Sequence, residues 1–486
     1  MSVIWILFPP LVAAALASVP VRRAWAPGAT VIACLAVLVG TSRLAWIVAT
    51  GGTVTAGPGD AWSDWVAVDG LGALMLMLIG VVATAASVYS IGYLGHGVHT
   101  PARRRLYYAN YNLFVFSMLA IPLAAEPTLV WIVVELTTLC SALLVSFDNT
   151  REAIEAAWKY VVLSLMGAGI ALFGFLMLFA AMQAGGGGAY TWAGLVEAAP
   201  RMPPILMQTA FLLILVGLGT KVGLVPMHTW LPDAHSQAPS PVCALLSGIE
   251  TTAILYVILR LFPVMHAVPG ANAERWALAL GVTSVGVAAF LLLQVHDYKR
   301  LLAFSTVEHM GIILAAVGLG ASAADYGAMQ QIVNHTVAKS FCFFAAGATL
   351  LAVGTREIRS VHGLIHRAPL AGGALVLGGL AITGAPPLAV FLSEFAILRA
   401  GLASGHYVAT GLLAIFIVIA FFAVMAHVNR MVFGSAGDGA ATSEFHLPFS
   451  IGLVLVLAAV PVVVLGVYVP GPLHDLLVLA ASALRR

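Results

Sequence analysis

Apolar runs separated by short polar loops follow one another from end to end of the chain. A helix needs about 20 apolar residues to cross a bilayer. Fourteen segments meet that requirement, beginning near residues 3, 28, 70, 104, 127, 158, 206, 240, 276, 301, 325, 370, 405 and 449. None shows the alternation of a barrel strand. The pattern therefore predicts an all-α polytopic membrane protein with about 14 transmembrane helices. No Pro/Ser-rich linker divides it, and residues 1–486 read as a single membrane domain. The first run, MSVIWILFPPLVAAALASV, has no basic stretch before it and reads as a retained span. The tail from Gly471 to Arg486 reads as a short interfacial segment.

Composition agrees. Hydrophobic residues make up 61% of the 486 and charged residues 9%, against about 25% charged in soluble domains. A soluble enzyme is excluded, and a net charge of +2 leaves no electrostatic footprint for nucleic acid. Cys34, Cys140, Cys243 and Cys342 lie in apolar segments without ligand spacing, so no metal or cofactor site is expected in this chain. Lysine and arginine set the orientation. An outside N-terminus puts Arg22, Arg23, Arg103, Arg104, Arg105, Arg151, Lys159, Lys299, Arg300, Arg356, Arg359, Arg367 and Arg430 inside. Arg201, Arg260, Arg275, Arg399, Arg485 and Arg486 then lie outside, with the acidic loop of Asp60, Asp64 and Asp69. Both termini outside is the favoured assignment.

The chain has four lysines, and two of them, Lys221 and Lys339, sit within apolar segments, as do Glu135, Glu250, Glu308 and Glu394. Each charge at mid-bilayer costs about 2.5–3.5 kcal/mol on insertion scales, so six cost on the order of 15–20 kcal/mol if central and ionised. Buried amines and carboxylates can change protonation state near neutral pH. The group reads as a proton or ion path, the alternative at each position being a structural ion pair. Glu135 shares a helix face with Thr138, and Lys159 reads as an interfacial anchor or as its charge partner. Lys221 precedes Pro226 and Pro232, and Glu394 follows Gly384, Pro386 and Pro387. Proline breaks a helix, and a break at membrane depth is tolerated only within protein or beside water. Two such broken helices, five spans apart, predict two halves of inverted topology.

Other polar residues fall around these breaks. His228 and His235 lie in the first broken region and read equally as relay or structural histidines. His335 and Lys339, at i and i+4, share one face and read as a wire between the breaks. Glu308 and His309 are adjacent, about 100° apart on a helix, and cannot face one path equally. Lys299 and Arg300 read as interfacial anchors. Glu250 can pair with Lys221.

The stretches GTKVGLVPMHTWLPDAHSQAPSPV, HDYKRLLAFSTVEHMGII, VNHTVAKSFCFFAAG and ITGAPPLAVFLSEF resemble the antiporter-like subunits shared by respiratory complex I, Mrp-type cation/proton antiporters and membrane-bound group 4 nickel–iron hydrogenases. The wording is most similar to the branch of hydrogenase 4 component F and formate hydrogenlyase-like complexes. The resemblance implies two inverted five-helix repeats, 104–266 and 276–433. It implies a proton pathway through Glu135, Lys221, His335, Lys339 and Glu394. Glu250 departs from the family pattern. The resemblance further implies a bacterial or archaeal cell membrane and partner subunits of antiporter-like and quinone-module-like type. A peripheral hydrogenase or dehydrogenase arm would carry nickel–iron and iron–sulfur centres. The alternatives are a subunit of NADH:quinone oxidoreductase or of an Mrp-type antiporter, or, from another class, a non-conducting membrane anchor for a peripheral oxidoreductase.

Overall fold

The computed structural model describes residues 3–19, 25–51, 54–55, 65–97, 99–435 and 445–485. Arg22, Arg23, Asp60, Asp64 and Arg486, used above for orientation, lie outside these residues. The chain begins with α1 (Phe8–Ser18), α2 (Trp25–Gly51), α3 (Gly70–His96), α4 (Pro101–Leu123) and α5 (Pro127–Val145). The long α6 (Arg151–Ala184) and short α7 (Trp192–Ala198) lead to α8 (Pro204–Val222) and, across an irregular turn, to α9 (Trp230–Gln237). One span then combines α10 (Ser240–Leu245), a π-helical segment (Leu246–Glu250), α11 (Thr251–Leu259) and α12 (Leu261–Ala267). It is followed by α13 (Ala273–Leu292), α14 (Tyr298–Gly318), α15 (Ser322–Val353), α16 (Leu364–Arg367) and α17 (Pro369–Ile382). Last come α18 (Ala389–Ala403), α19 (Tyr407–Phe433), α20 (Phe449–Val464) and α21 (Gly471–Ser482).

Eleven helices are long and apolar enough to cross a membrane. The segments Val3–Ser18, Pro369–Ile382 and Phe449–Val464 are apolar but shorter. The fourteen expected segments are all present among the described residues, eleven as full-length spans and three as shorter apolar helices. Proline explains part of the difference: α17 stops just before Pro386 and Pro387, and α20 carries Pro461 in its last turn.

Side-chain caps fix several helix starts. Asp69 accepts from Gly72 N at 2.9 Å, Thr150 from Ala153 N at 3.1 Å, and Asp297 from Lys299 N at 2.7 Å. Each such cap is worth about 1 kcal/mol. Without apolar solvation to drive them together, membrane helices associate through close packing of small residues. Gly167 of α6 faces Gly217 of α8, and Gly281 of α13 faces Gly311 of α14; a Cβ at any of the four would strike the opposite backbone. The Ser240–Ala267 span is wholly buried and α14 94% buried by residue, whereas α19 is 33% buried. The first two form the centre of the bundle. α15 runs beside them and packs on α3, α10, α14, α17, α18, α20 and α21.

Ion pairs gather in two groups. Lys159, Asp233 and Arg300 meet in one group, and His99 lies 4.0 Å from Asp148. Asp69–Arg260, His266–Glu274 and Asp325–Arg485 form the other. The tail packs on the bundle. Leu476, Leu477 and Ala480 of α21 are buried on α3 and α15, and Arg485 Nε reaches Asp325 Oδ2 at 2.5 Å.

Candidate functional site

The two broken helices share one local plan. α8 ends at Gly223 (φ 86°) and α17 runs out just before Gly384 (φ 65°), with Pro226 and Pro387 each three residues further on. The Val225–Pro226 and Pro386–Pro387 peptide bonds are both cis. Left-handed backbone suits glycine, and proline cannot continue the helix. Carbonyls freed at each break find side-chain donors. Trp230 Nε1 donates to Thr220 O at 2.7 Å, and His309 Nε2 donates to Ile382 O at 2.8 Å.

Lys221 occupies the last turn of α8. Its Nζ donates to Val134 O and Thr138 Oγ1, to Thr137 Oγ1 at 2.7 Å, and lies 3.8 Å from Glu250 Oε1. The side chains of Lys221 and Glu250 are 3% and 2% exposed. Glu250 Oε1 also accepts from Tyr160 OH at 3.0 Å and Ser141 Oγ at 3.5 Å, while its Oε2 has no partner among the described residues. Glu135 is a charge neighbour of Lys221, but neither of its carboxylate oxygens has a hydrogen-bond partner among the described residues. The direct contact of Lys221 is thus Glu250.

The π segment that carries Glu250 also connects this cluster to α15. π turns interrupt the regular hydrogen-bond ladder and are frequent at functional sites. His335 Nε2 donates to Ser247 O at 3.0 Å and Thr336 Oγ1 to Gly248 O at 2.8 Å. Ser247 Oγ lies 2.7 Å from Thr306 Oγ1 of α14. One turn along α15, Lys339 Nζ donates to Leu302 O at 2.9 Å and Ser305 Oγ at 2.6 Å. Glu308 is a charge neighbour of both Lys339 and Glu394. The rings of His309 and His335 are 5.1 Å apart, and Gln331 Nε2 approaches His309 Nδ1 at 3.3 Å. Glu394 sits in α18 against Gly384, its Oε2 filling the space a Cβ would take. Beside it, Ser393 bonds Gln331 and Asn334.

The buried groups from Glu250 to Glu394 thus follow one line across the packed helices, hydrogen-bonded to backbone and hydroxyl groups rather than to one another. Glu308 and His309 both belong to it despite pointing apart, because α14 is enclosed on nearly every side. The structure removes one alternative and corrects one expectation. Lys159 does not reach Glu135; it is 43% exposed and pairs with Glu155 at 2.8 Å and Asp233 at 3.3 Å. Lys299 is not an interfacial anchor but is buried, donating to Ala238 O at 2.5 Å and closing the end of α9. Arg300 turns the other way, to Asp233. His228 and His235 are buried in the first broken region; His228 Nδ1 and both ring nitrogens of His235 lack partners among the described residues. Tyr160, Ser141, Gln331 and Ser393 were not singled out from the sequence. The four cysteines are separate buried thiols, and no cluster of three His, Cys, Asp or Glu suited to a metal occurs among the described residues. The donor set does not fit a metal centre.

A helical membrane bundle with two broken helices around a buried line of lysines, glutamates and histidines defines the antiporter-like class of membrane subunit. The family model described as "NADH:quinone oxidoreductase/Mrp antiporter, TM" matches residues 124–422, more than half of the chain, and the chain belongs to this family. It is 35% identical over 412 residues to a hydrogenase-4 component F homolog of Methylacidiphilum infernorum, covering 83% of this chain and 85% of that one. The fold matches a chain of the archaeal membrane-bound sulfane sulfur reductase complex with a TM-score of 0.88 and 24% identity, covering 99% of this chain and 97% of that one. It also matches a chain of the Mrp complex from Dietzia sp. with a TM-score of 0.86 and 19% identity, over the same 99% and 97%. The family resemblance read from the sequence is borne out.

Proposed function

We propose that this chain moves protons across the membrane as a subunit of a redox complex of the hydrogenase type. The observation that carries the reading is the succession of buried titratable groups from Lys221 and Glu250, by way of His335, to Lys339, Glu308 and Glu394. A charge change in a partner subunit alters the Lys221–Glu250 interaction, with Glu135 as a second nearby charge. The proton passes along α15 and leaves past Glu394. Moving one charge against 100 mV takes about 2.3 kcal/mol. The similarity to a hydrogenase-4 component F homolog supports the hydrogenase type. On this reading the nickel–iron and iron–sulfur centres belong to a peripheral arm, held by further membrane subunits.

The two breaks support two inverted repeats, 104–266 and 276–433. Glu135 and Glu308 then become counterparts five spans apart, as do Lys221 and Glu394. The segregation of charges supports both termini outside, in a bacterial or archaeal cell membrane. The test is Lys221→Met in the assembled complex reconstituted in vesicles. Proton flux is expected to disappear while assembly is retained. Undiminished flux in that variant overturns the proposal.

A further inference from the structure

A cavity of about 560 Å³ opens where α1 ends and α2 and α4 begin, away from the buried line. Leu16 of α1 and Ile91 and Leu94 of α3 form its apolar wall. Trp25, 60% exposed at the start of α2, stands at its rim, as tryptophans do at the headgroup level of a bilayer. Arg104 and Arg105 of α4 line the other side. Neither lies within 4 Å of a carboxylate among the described residues. Arg104 Nη2 donates to Gly97 O at 3.2 Å, but its Nε is buried without a partner. His99 also lines the cavity and lies 4.0 Å from Asp148. Burial holds this imidazole below its usual range, with Arg103 and Arg104 adding to the effect and Asp148 opposing it. The positive charge facing the cavity is therefore that of the two arginines.

Two unpaired guanidinium groups at the membrane surface, above an apolar wall, ask for a ligand with an anionic head and a hydrocarbon body. Basic pockets between transmembrane helices are where anionic lipid headgroups bind, and planar guanidinium groups match phosphate geometry. The volume is within the usual range for small-molecule pockets. We propose that this cavity is a binding site for an anionic phospholipid. Its phosphate lies between Arg104 and Arg105, and the upper part of an acyl chain lies along Leu16, Ile91 and Leu94.

The full chain, extracted in mild detergent with the subunits that accompany it, is stripped of lipid. It is then titrated with phosphatidylglycerol, phosphatidylcholine or inorganic phosphate. Bound lipid is counted by native mass spectrometry, and thermal stability is followed in parallel. Phosphatidylglycerol is expected to bind and to raise the melting temperature more than phosphatidylcholine. Arg104→Gln with Arg105→Gln is expected to weaken phosphatidylglycerol binding about tenfold or more and leave phosphatidylcholine binding unchanged. If the double variant does not fold, Arg105→Gln is read instead, since Arg105 makes no side-chain hydrogen bond among the described residues, with Arg105→Lys as the charge-preserving control. Equal binding of the two lipids, wild-type affinity in the glutamine variants, or full stabilisation by inorganic phosphate alone overturns the proposal.

Discussion

Replacing Glu250 by glutamine isolates the charge that touches Lys221. The carboxamide keeps the shape of the side chain and an oxygen that can accept from Tyr160 and Ser141, so the change is close to purely electrostatic. At the observed 3.8 Å, with an effective dielectric constant of about 20, the interaction is worth about 4 kcal/mol. That is about three powers of ten in an equilibrium constant. If only a third of it enters the rate-limiting barrier, proton transfer slows about tenfold. The assay is dye-monitored proton uptake by vesicles holding the assembled complex under an imposed potential. Glu250→Gln and Glu135→Gln are compared at equal assembly. Glu250→Gln is expected to reduce flux about tenfold or more, and Glu135→Gln to do so less, because Glu135 forms no ion pair within 4.0 Å of the lysine among the described residues. Wild-type flux in Glu250→Gln, with flux abolished in Glu135→Gln, refutes the assignment of Glu250 as the working partner.

Gly384→Ala forces a side chain onto left-handed backbone and into Glu394 Oε2; a loss of about 1 kcal/mol or more of stability and a fall in flux are expected, read by melting temperature and proton uptake. Gly248→Ala brings a methyl group to 2.6 Å from Ser340 Oγ and 3.2 Å from Thr336 O. Crowding of about 1–3 kcal/mol is expected to push the π turn off α15, seen as a lower melting temperature with reduced flux. At the other end of the bundle, burial pushes the Asp69 carboxyl up, but the charge of Arg260 and hydrogen bonds from Arg260 and Gly72 outweigh it and hold the group below its usual range. Its stabilising effect is therefore fully present above the unfolded value of about 3.9 and lost as pH falls through the lower folded value. Melting temperature against pH in detergent is expected to drop in that acid range for the wild type, and Asp69→Asn to flatten that part of the curve.

Helix number and the two breaks could be read from the chain because bilayer thickness dictates run length, and because glycine and proline act locally. The sequence allows Glu250 to pair with Lys221 but does not choose between it and Glu135. Glu135 and Glu250 sit on different helices, and the π turn at Leu246–Glu250, which no residue type announces, sets where the second carboxylate points. Lys299 and Arg300 look alike in sequence, yet the Asp297 cap and the helical step between neighbours send one inward and the other to Asp233. Glu308 and His309 point apart, and both are buried because α14 is enclosed on nearly every side. Hydroxyl groups such as Ser141 and Tyr160 escaped notice because serine and tyrosine are common in buried helices, and only their approach to Glu250 sets them apart.

The lysines and glutamates of the buried line divide into two sets of the same valence. Lys221 stands with Glu135 and Glu250, and Lys339 with Glu308 and Glu394. With all three members ionised, each set carries one uncompensated negative charge in a medium that tolerates it poorly. Electroneutrality is restored in each by a single additional proton. On the proposed function, each set is then a compartment that holds one proton at neutrality.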